Sequence, residues 1–185
     1  AVLYRTNAQS RSIEETFLTH NIPYIIVGGI KFYDRMEVKD ILAYANVCVN
    51  PRDTQNLLRV LNKPNRGIGD KTLKKIMQLA REFDVPLGQA LSDQRITDRL
   101  SPKAQSGIRA FLTIIAEAKH QTGVRSALDA IVRRSDYLSY IDKISETREQ
   151  CREREENIEE LLSSADDYQE KNPQHGLQGY LENIS

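Results

Sequence analysis

Tryptophan, metal-ligand clusters and long apolar runs are absent from this sequence, and cysteine is rare. Cys48 and Cys151 lie far apart and form no CxxC pair, and no histidine stands at metal-ligand spacing. These absences exclude a disulfide framework and the common zinc motifs. Because no apolar run approaches the ~20 residues of a membrane span, we expect a soluble, cytoplasmic protein without a metal site.

The sequence also lacks net charge, since 26 Lys and Arg balance 26 Asp and Glu. Overall charge therefore gives no argument for a polyanionic partner. The distribution along the chain is uneven, because only Asp53 and Asp70 interrupt the cations between Arg52 and Arg81, whereas residues 146–170 are rich in acids. The sequence predicts a basic hairpin and an acidic helix whose charges form a solvated face.

The first part of the chain has a strand-helix-strand pattern. "AVLYRT" and "IPYIIVGG" are strand-like, and between them "SRSIEETFLTHN" has helical apolar spacing, with Ser12 and Glu15 at capping-box spacing. Such a unit requires a parallel sheet, and two strands alone do not form a stable one. We therefore expect residues 1–28 to be a partial βαβ unit and the chain to be a fragment of a larger protein.

After the double glycine the pattern is helical, so residues 29–185 are predicted to form a mainly α-helical domain. The predicted helices lie near residues 35–49, 53–62, 70–83, 86–91, 102–120, 124–134, 136–144, 147–168 and 177–184. Asp53 and Asp70 are predicted helix N-caps, and Pro102 is predicted in a first turn after Ser101.

A short turn with two glycines, Pro64 to Gly69, connects two of these helices; we call it the GIG turn. We expect Ile68 to enter the core while the backbone N–H groups on either side face outward, close to a helix N-terminus. Cations and a hydroxyl surround the turn: Lys63, Arg66, Lys71, Lys74, Lys75 and Thr72. This pattern is typical of a helix-hairpin-helix motif that holds DNA phosphates without reading sequence. The alternative is a tight helix-helix turn without a ligand.

Polar residues follow the first predicted strand, at Arg5, Thr6 and Asn7. The carboxyl ends of strands in open α/β sheets are where ligands bind, so Arg5 and Asn7 could hold phosphates or base edges. A buried strand that ends in a polar loop is an equally good explanation.

Three segments in this order and spacing resemble the UvrD/PcrA-like superfamily 1 ATP-dependent DNA helicases: "AVLYRTNAQSRSIEETF", "IPYIIVGGIKFYDRMEVKDILAYANVCVNP" and "NKPNRGIGDKTL". The resemblance is strong from Ala1 to about Arg81 and continues more weakly through "ENIEELLSSADDY". It implies that residues 1–28 belong to the second RecA-like motor domain, 2A, and that residues 29–185 form most of its helical insertion, 2B.

The resemblance also implies which residues bind DNA. In this family the strand-end "RTN" contacts single-stranded DNA, which implicates Arg5 and Asn7. The GIG turn and the "EVKD" helix face the duplex, which implicates Lys39, Arg66, Gly67, Ile68, Gly69, Lys71 and Thr72. This chain departs from the family at Asn65, where a basic residue often stands, so the phosphate contact would be weaker or would depend on Lys63.

A GxxxxGK[ST] phosphate loop and an acidic Mg²⁺-binding strand motif are both missing. The resemblance implies that the full-length parent hydrolyses ATP with Mg²⁺ and unwinds duplex DNA in repair or replication. We expect this fragment to hold neither cofactor and to be inactive alone. Its expected role is to grip the duplex and regulate unwinding, with Gly28-Gly29 as the hinge and repair or replication proteins as further candidate partners.

Two alternatives stay open. The chain could be a stand-alone helix-hairpin-helix module, although an unfinished βαβ unit has no purpose there. It could also be a protein-interaction scaffold that uses the acidic helix from Thr147 as its partner surface.

Overall fold

The computed structural model describes residues 1–5, 9–27 and 29–184. This part of the chain is mainly α-helical, as predicted, with a short 3₁₀ turn at Phe32–Asp34. The helices are α1 Ser10–Thr19, α2 Met36–Val49, α3 Thr54–Val60, α4 Asp70–Glu82, α5 Leu87–Ala90, α6 Gln94–Thr97, α7 Pro102–Lys119, α8 Val124–Arg134, α9 Tyr137–Ile144, α10 Arg148–Lys171 and α11 Leu177–Asn183.

The partial βαβ unit is not confirmed, because residues 1–5 and 22–27 flank α1 without forming a strand ladder. Their apolar side chains are solvent-exposed instead, with Leu3 at 93% and Ile25 and Val27 at 86%. A parallel ladder needs neighbouring strands to satisfy its backbone groups. The helix of the unit does form, but it begins at Ser10. Ser12 therefore lies inside the helix, and the predicted capping box at Ser12 is wrong.

Helix α2 is the centre of the fold. It contacts α3, α7, α8, α10 and α11, and most of its residues are buried. Val38, Ile41 and Tyr44 are completely inaccessible to solvent. A helix that is apolar on nearly all sides must be surrounded, so the other helices pack around α2 as its shell.

Side-chain caps fix several helix starts where the sequence predicts them. The Oδ1 atom of Asp53 accepts a hydrogen bond from the Asn56 N–H at 3.0 Å, and the Ser101 hydroxyl accepts one from Ala104 N–H before α7. The predicted Asp70 cap is wrong by one residue. Gly69 is the N-cap of α4, and no side chain caps this helix.

The acidic helix α10 packs through the predicted apolar stripe, in which Ile158, Leu161 and Tyr168 are buried. Cys151, the first residue of the predicted stripe, is half-buried and packs against the core cluster. The outer acids are partly paired, since Arg125 of α8 binds Glu159 at 3.0 Å and Asp166 at 2.9 Å.

Cys48 is buried on α2 as predicted, and burial raises the pKa of its thiol to about 11. In residues 1–5, 9–27 and 29–184, His, Cys, Asp and Glu do not cluster in a way that could hold a metal ion. None of the helices described above is both long and apolar enough to cross a membrane.

Candidate nucleic-acid interface

The amide side chain of Asn62 stabilises the connection between α3 and α4. Its Oδ1 atom accepts hydrogen bonds from the N–H groups of Arg66 at 2.8 Å and Ile68 at 3.0 Å. Ile68 is 3% exposed and belongs to the main core cluster. The prediction that Ile68 anchors the GIG turn in the core is therefore confirmed.

Gly67 is required by the backbone of the turn. Its φ is +76°, in the left-handed region that side chains disfavour. Its N–H donates to Oδ1 of Asn65 at 2.8 Å, so this amide already has an internal acceptor. Sequence reasoning noticed Asn65 only as a missing cation and did not foresee this contact.

Gly69 differs from Gly67, because the fold itself does not require a glycine there. Its φ of −77° and ψ of 176° suit any residue, it is exposed, and a Cβ atom would meet nothing within 4 Å. In the described part of the chain, no acceptor binds the N–H groups of Gly69 and of the first α4 residues, Asp70, Lys71 and Thr72. Unpaired N–H groups at the positive end of a helix dipole form an anion-binding site.

Two lysines beside these amides have no charged partner among the described residues. Lys71 and Lys74 are exposed, and neither forms an ion pair with a carboxylate of residues 1–5, 9–27 or 29–184. Lys75 instead donates to the backbone carbonyl of Arg99. The Thr72 residue, half-buried in the first turn of α4, adds a hydroxyl to the same surface.

Lys63 is not available to replace the missing cation at Asn65. Its Nζ atom lies 3.2 Å from Oδ2 of Asp40, a carboxylate that is 0% exposed. Asp40 also binds Arg59 at 2.7 Å and accepts the Tyr137 hydroxyl at 2.6 Å. A buried carboxylate needs such partners, so Lys63 serves the interior.

Arg66 is also directed inward. Its guanidinium donates to Val60 O at the end of α3 at 3.2 Å, to Pro64 O in the turn itself at 3.1 Å, and to the Tyr44 hydroxyl. It lies 5.6 Å from the Tyr44 ring centroid and 5.9 Å from that of Phe111. The structure therefore places Arg66 as a residue that holds the turn on α3.

The other predicted residues lie outside this cluster. Lys39 on α2 pairs with Asp34 at 2.6 Å and remains 45% exposed, and Arg5 is exposed, with its backbone N–H bound to Gln9. No described contact joins Lys39 or Arg5 to the GIG turn. Thr6 and Asn7, and Gly28 of the predicted hinge, lie outside the described residues.

Helix α7 packs against the GIG turn, a contact that was not predicted from the sequence. A Cβ atom at Gly107, in the interior of α7, would lie 2.2 Å from the Arg66 carbonyl oxygen. A glycine inside a helix is disfavoured, so Gly107 was the available signal that another backbone approaches closely.

Together these contacts define a mainly helical fold whose GIG turn presents helix-terminal amides and lysines that have no partner among the described residues, an arrangement that can hold a phosphate-type anion. The chain belongs to the UvrD-like helicase C-terminal domain family, whose model matches residues 1–185.

The names of similar curated proteins agree with this family assignment. The chain is 37% identical over 189 residues to the ATP-dependent DNA helicase PcrA of Staphylococcus epidermidis and 34% identical to that of Staphylococcus aureus. Each alignment covers 100% of this chain and 26% of the relative, so the chain spans about a quarter of the length of these proteins.

Proposed function

We propose that this chain is part of an ATP-dependent DNA helicase of the PcrA type and that its GIG turn grips the backbone of duplex DNA. The observation that carries the proposal is the first turn of α4. Its amides from Gly69 to Thr72 have no acceptor in the described structure, and they stand next to the unpaired Lys71. Phosphate oxygens supply the missing acceptors and the opposite charge.

The grip is independent of base sequence. Backbone amides, a lysine and a threonine hydroxyl all bind phosphate, and phosphate contacts position a duplex without reading it. A helicase that moves along DNA needs a contact of this kind. We propose that the same domain also regulates unwinding.

We assign residues 1–28 to the motor domain 2A and residues 29–185 to the inserted domain 2B. Apolar side chains around α1 are exposed, and a cavity of about 640 Å³ lies between α1 and the segments on either side of it. Further strands of a RecA-like sheet would cover this surface. In this arrangement Arg5 and Asn7 contact single-stranded DNA, and Lys39 lies toward the duplex.

ATP and Mg²⁺ belong to the parent and not to this chain. The sequence has no phosphate loop and no acidic Mg²⁺-binding strand motif, which supports this part of the proposal. On this proposal the isolated chain binds DNA without hydrolysing ATP.

The two alternatives are less well supported. A stand-alone DNA-binding module does not account for a family match that includes residues 1–28. In the scaffold alternative, a protein partner that binds α10 would have to displace Arg125, which already binds two of the outer acids of this helix.

The double substitution Lys71→Ala with Thr72→Ala tests the proposed function. We expect lower affinity for two unrelated duplexes by the same factor, and a salt dependence of log K that is flatter by about 0.9 for the lost phosphate contact. Fluorescence anisotropy over a salt series measures both quantities. A urea melt of the same variant should match the wild type within about 0.5 kcal/mol, because Lys71 is exposed and Thr72 is not part of the buried core. Unchanged duplex binding by this folded variant would show that the turn serves only the fold.

A further inference from the structure

The side chain of Lys103 lies across the GIG turn. A Cβ atom at Gly67 would lie 2.7 Å from Cε and 3.0 Å from Cγ of Lys103. The aliphatic stem of this lysine thus runs along the backbone of Gly67, in the space that the missing side chain leaves open. Gly67 therefore provides room for Lys103 as well as a positive φ.

Packing of α7 fixes the position of Lys103. Lys103 and Gly107 are four residues apart, so they lie on one face of the helix. That face touches the turn twice, through Lys103 at Gly67 and through Gly107 at the Arg66 carbonyl. Ala104 and Ile108 are buried beside them. The backbone of Lys103 is therefore held against the turn by the packing of α7.

Helix stability does not explain a lysine at this position. Lys103 is the second residue of α7, where the helix dipole disfavours a positive charge. Lys103 is exposed, and no carboxylate of the described residues forms an ion pair with it. Lys71 occupies the same second position in α4 and is likewise unpaired in the described structure. Two lysines that their own helices disfavour therefore stand beside one turn.

We propose that Lys103 is a further phosphate-binding residue of this surface. It holds a phosphate next to the one at the N-terminus of α4, on the same DNA backbone. This inference rests on the proposed function, because it assumes that the turn faces a duplex. It extends that function to α7, a helix distant in sequence from the GIG turn.

The test compares Lys103→Gln with Lys119→Gln in the full chain. Lys119 is exposed at the other end of the same helix, roughly 24 Å away at 1.5 Å per residue. For fluorescein-labelled duplexes of two unrelated sequences, we expect Lys103→Gln to reduce affinity and to flatten the salt slope by about 0.9. Lys119→Gln should leave both quantities at the wild-type values, and Lys103→Arg should preserve the slope. The melting temperature should not fall in Lys103→Gln or in Lys103→Arg.

Three outcomes would overturn the inference, and they differ in what they say about the turn. If Lys71→Ala with Thr72→Ala weakens binding while Lys103→Gln does not, the proposed function stands and Lys103 has no part in it. If Lys119→Gln weakens binding as much as Lys103→Gln, the effect is one of overall charge. If the wild-type chain does not bind duplex DNA at low salt, the proposed function and the role of Lys103 both fail.

Discussion

At the scale of single residues, the two glycines of the GIG turn have different reasons to be glycine. Gly67 has a φ of +76° and makes room for Lys103, whereas Gly69 has ordinary angles and open space around it. In the sequence they form a symmetric pair around Ile68, and nothing local separates them. The difference became visible only through φ and through a residue of α7.

This difference predicts opposite behaviour for two substitutions. Gly67→Ala should destabilise the fold by roughly 1–2 kcal/mol or more, because a left-handed alanine is strained and its Cβ meets Lys103. Gly69→Ser should retain or increase stability, because serine is a good N-cap at the φ and ψ found there. The same serine should weaken duplex binding, since its hydroxyl would accept from an α4 amide that otherwise binds phosphate.

Urea melts and duplex anisotropy of the two variants check this prediction together. The explanation of Gly69 is contradicted if Gly69→Ser binds duplex as tightly as the wild type. The explanation of Gly67 is contradicted if Gly67→Ala melts like the wild type.

At the scale of helices, the sequence was a good guide to where helices lie and a poor guide to which cations remain free. Apolar periodicity and caps such as Asp53 and Ser101 placed the longer helices within a few residues. The single-turn helix α6 was missed because four residues show no periodicity. The cap of α4 was misplaced because Gly69 and Asp70 are adjacent and both are suitable.

The cations of the candidate site depended on contacts that spacing does not reveal. The sequence offered Lys63 as one alternative for the cation missing at Asn65, and the family resemblance implicated Arg66 in DNA binding. In the structure Lys63 binds Asp40, and Arg66 caps the end of α3. Asp40 lies on another helix, so only the packed structure shows the pairing. Lys103 was missed for the same reason.

A buried arginine attaches α1 to α10, and this attachment can be tested. Arg11 is 6% exposed, and its guanidinium binds Glu160 at 2.7 Å and Asp167 at 2.9 Å. Glu160 and Asp167 hold the pKa of Arg11 above its usual value, although burial acts in the opposite direction. We expect Arg11→Met to release α1, because the substitution removes both ion pairs that join α1 to α10.

Hydrogen exchange is the appropriate measurement for this prediction. Amides of α1 should exchange faster in Arg11→Met, while those of α2 remain protected. The matched control is Arg125→Met, which removes a pair with the same helix α10 at the surface, where such pairs contribute about 0–1 kcal/mol. Equal acceleration of α1 exchange in both variants would contradict a specific attachment by Arg11.

At the scale of the whole molecule, the proposed duplex binding would depend on local geometry because the overall charge is zero. The described residues concentrate amides and lysines without partners at one turn, and they pair acids of α10 with Arg11 and Arg125 elsewhere. The fold of residues 29–184 was largely predictable, since its helices are amphipathic. The sheet expected around α1 was not confirmed, because its apolar segments have no partner strands in the described chain.

The central claim is that duplex phosphates bind the open amides at the start of α4. The most direct measurement is the change in backbone amide chemical shifts when a short duplex is added to the ¹⁵N-labelled chain. The largest changes should occur at Gly69, Lys71 and Thr72, with a smaller change at Gly67, whose N–H already binds Asn65. Unchanged shifts at these three amides under conditions where the chain binds the duplex would contradict the claim.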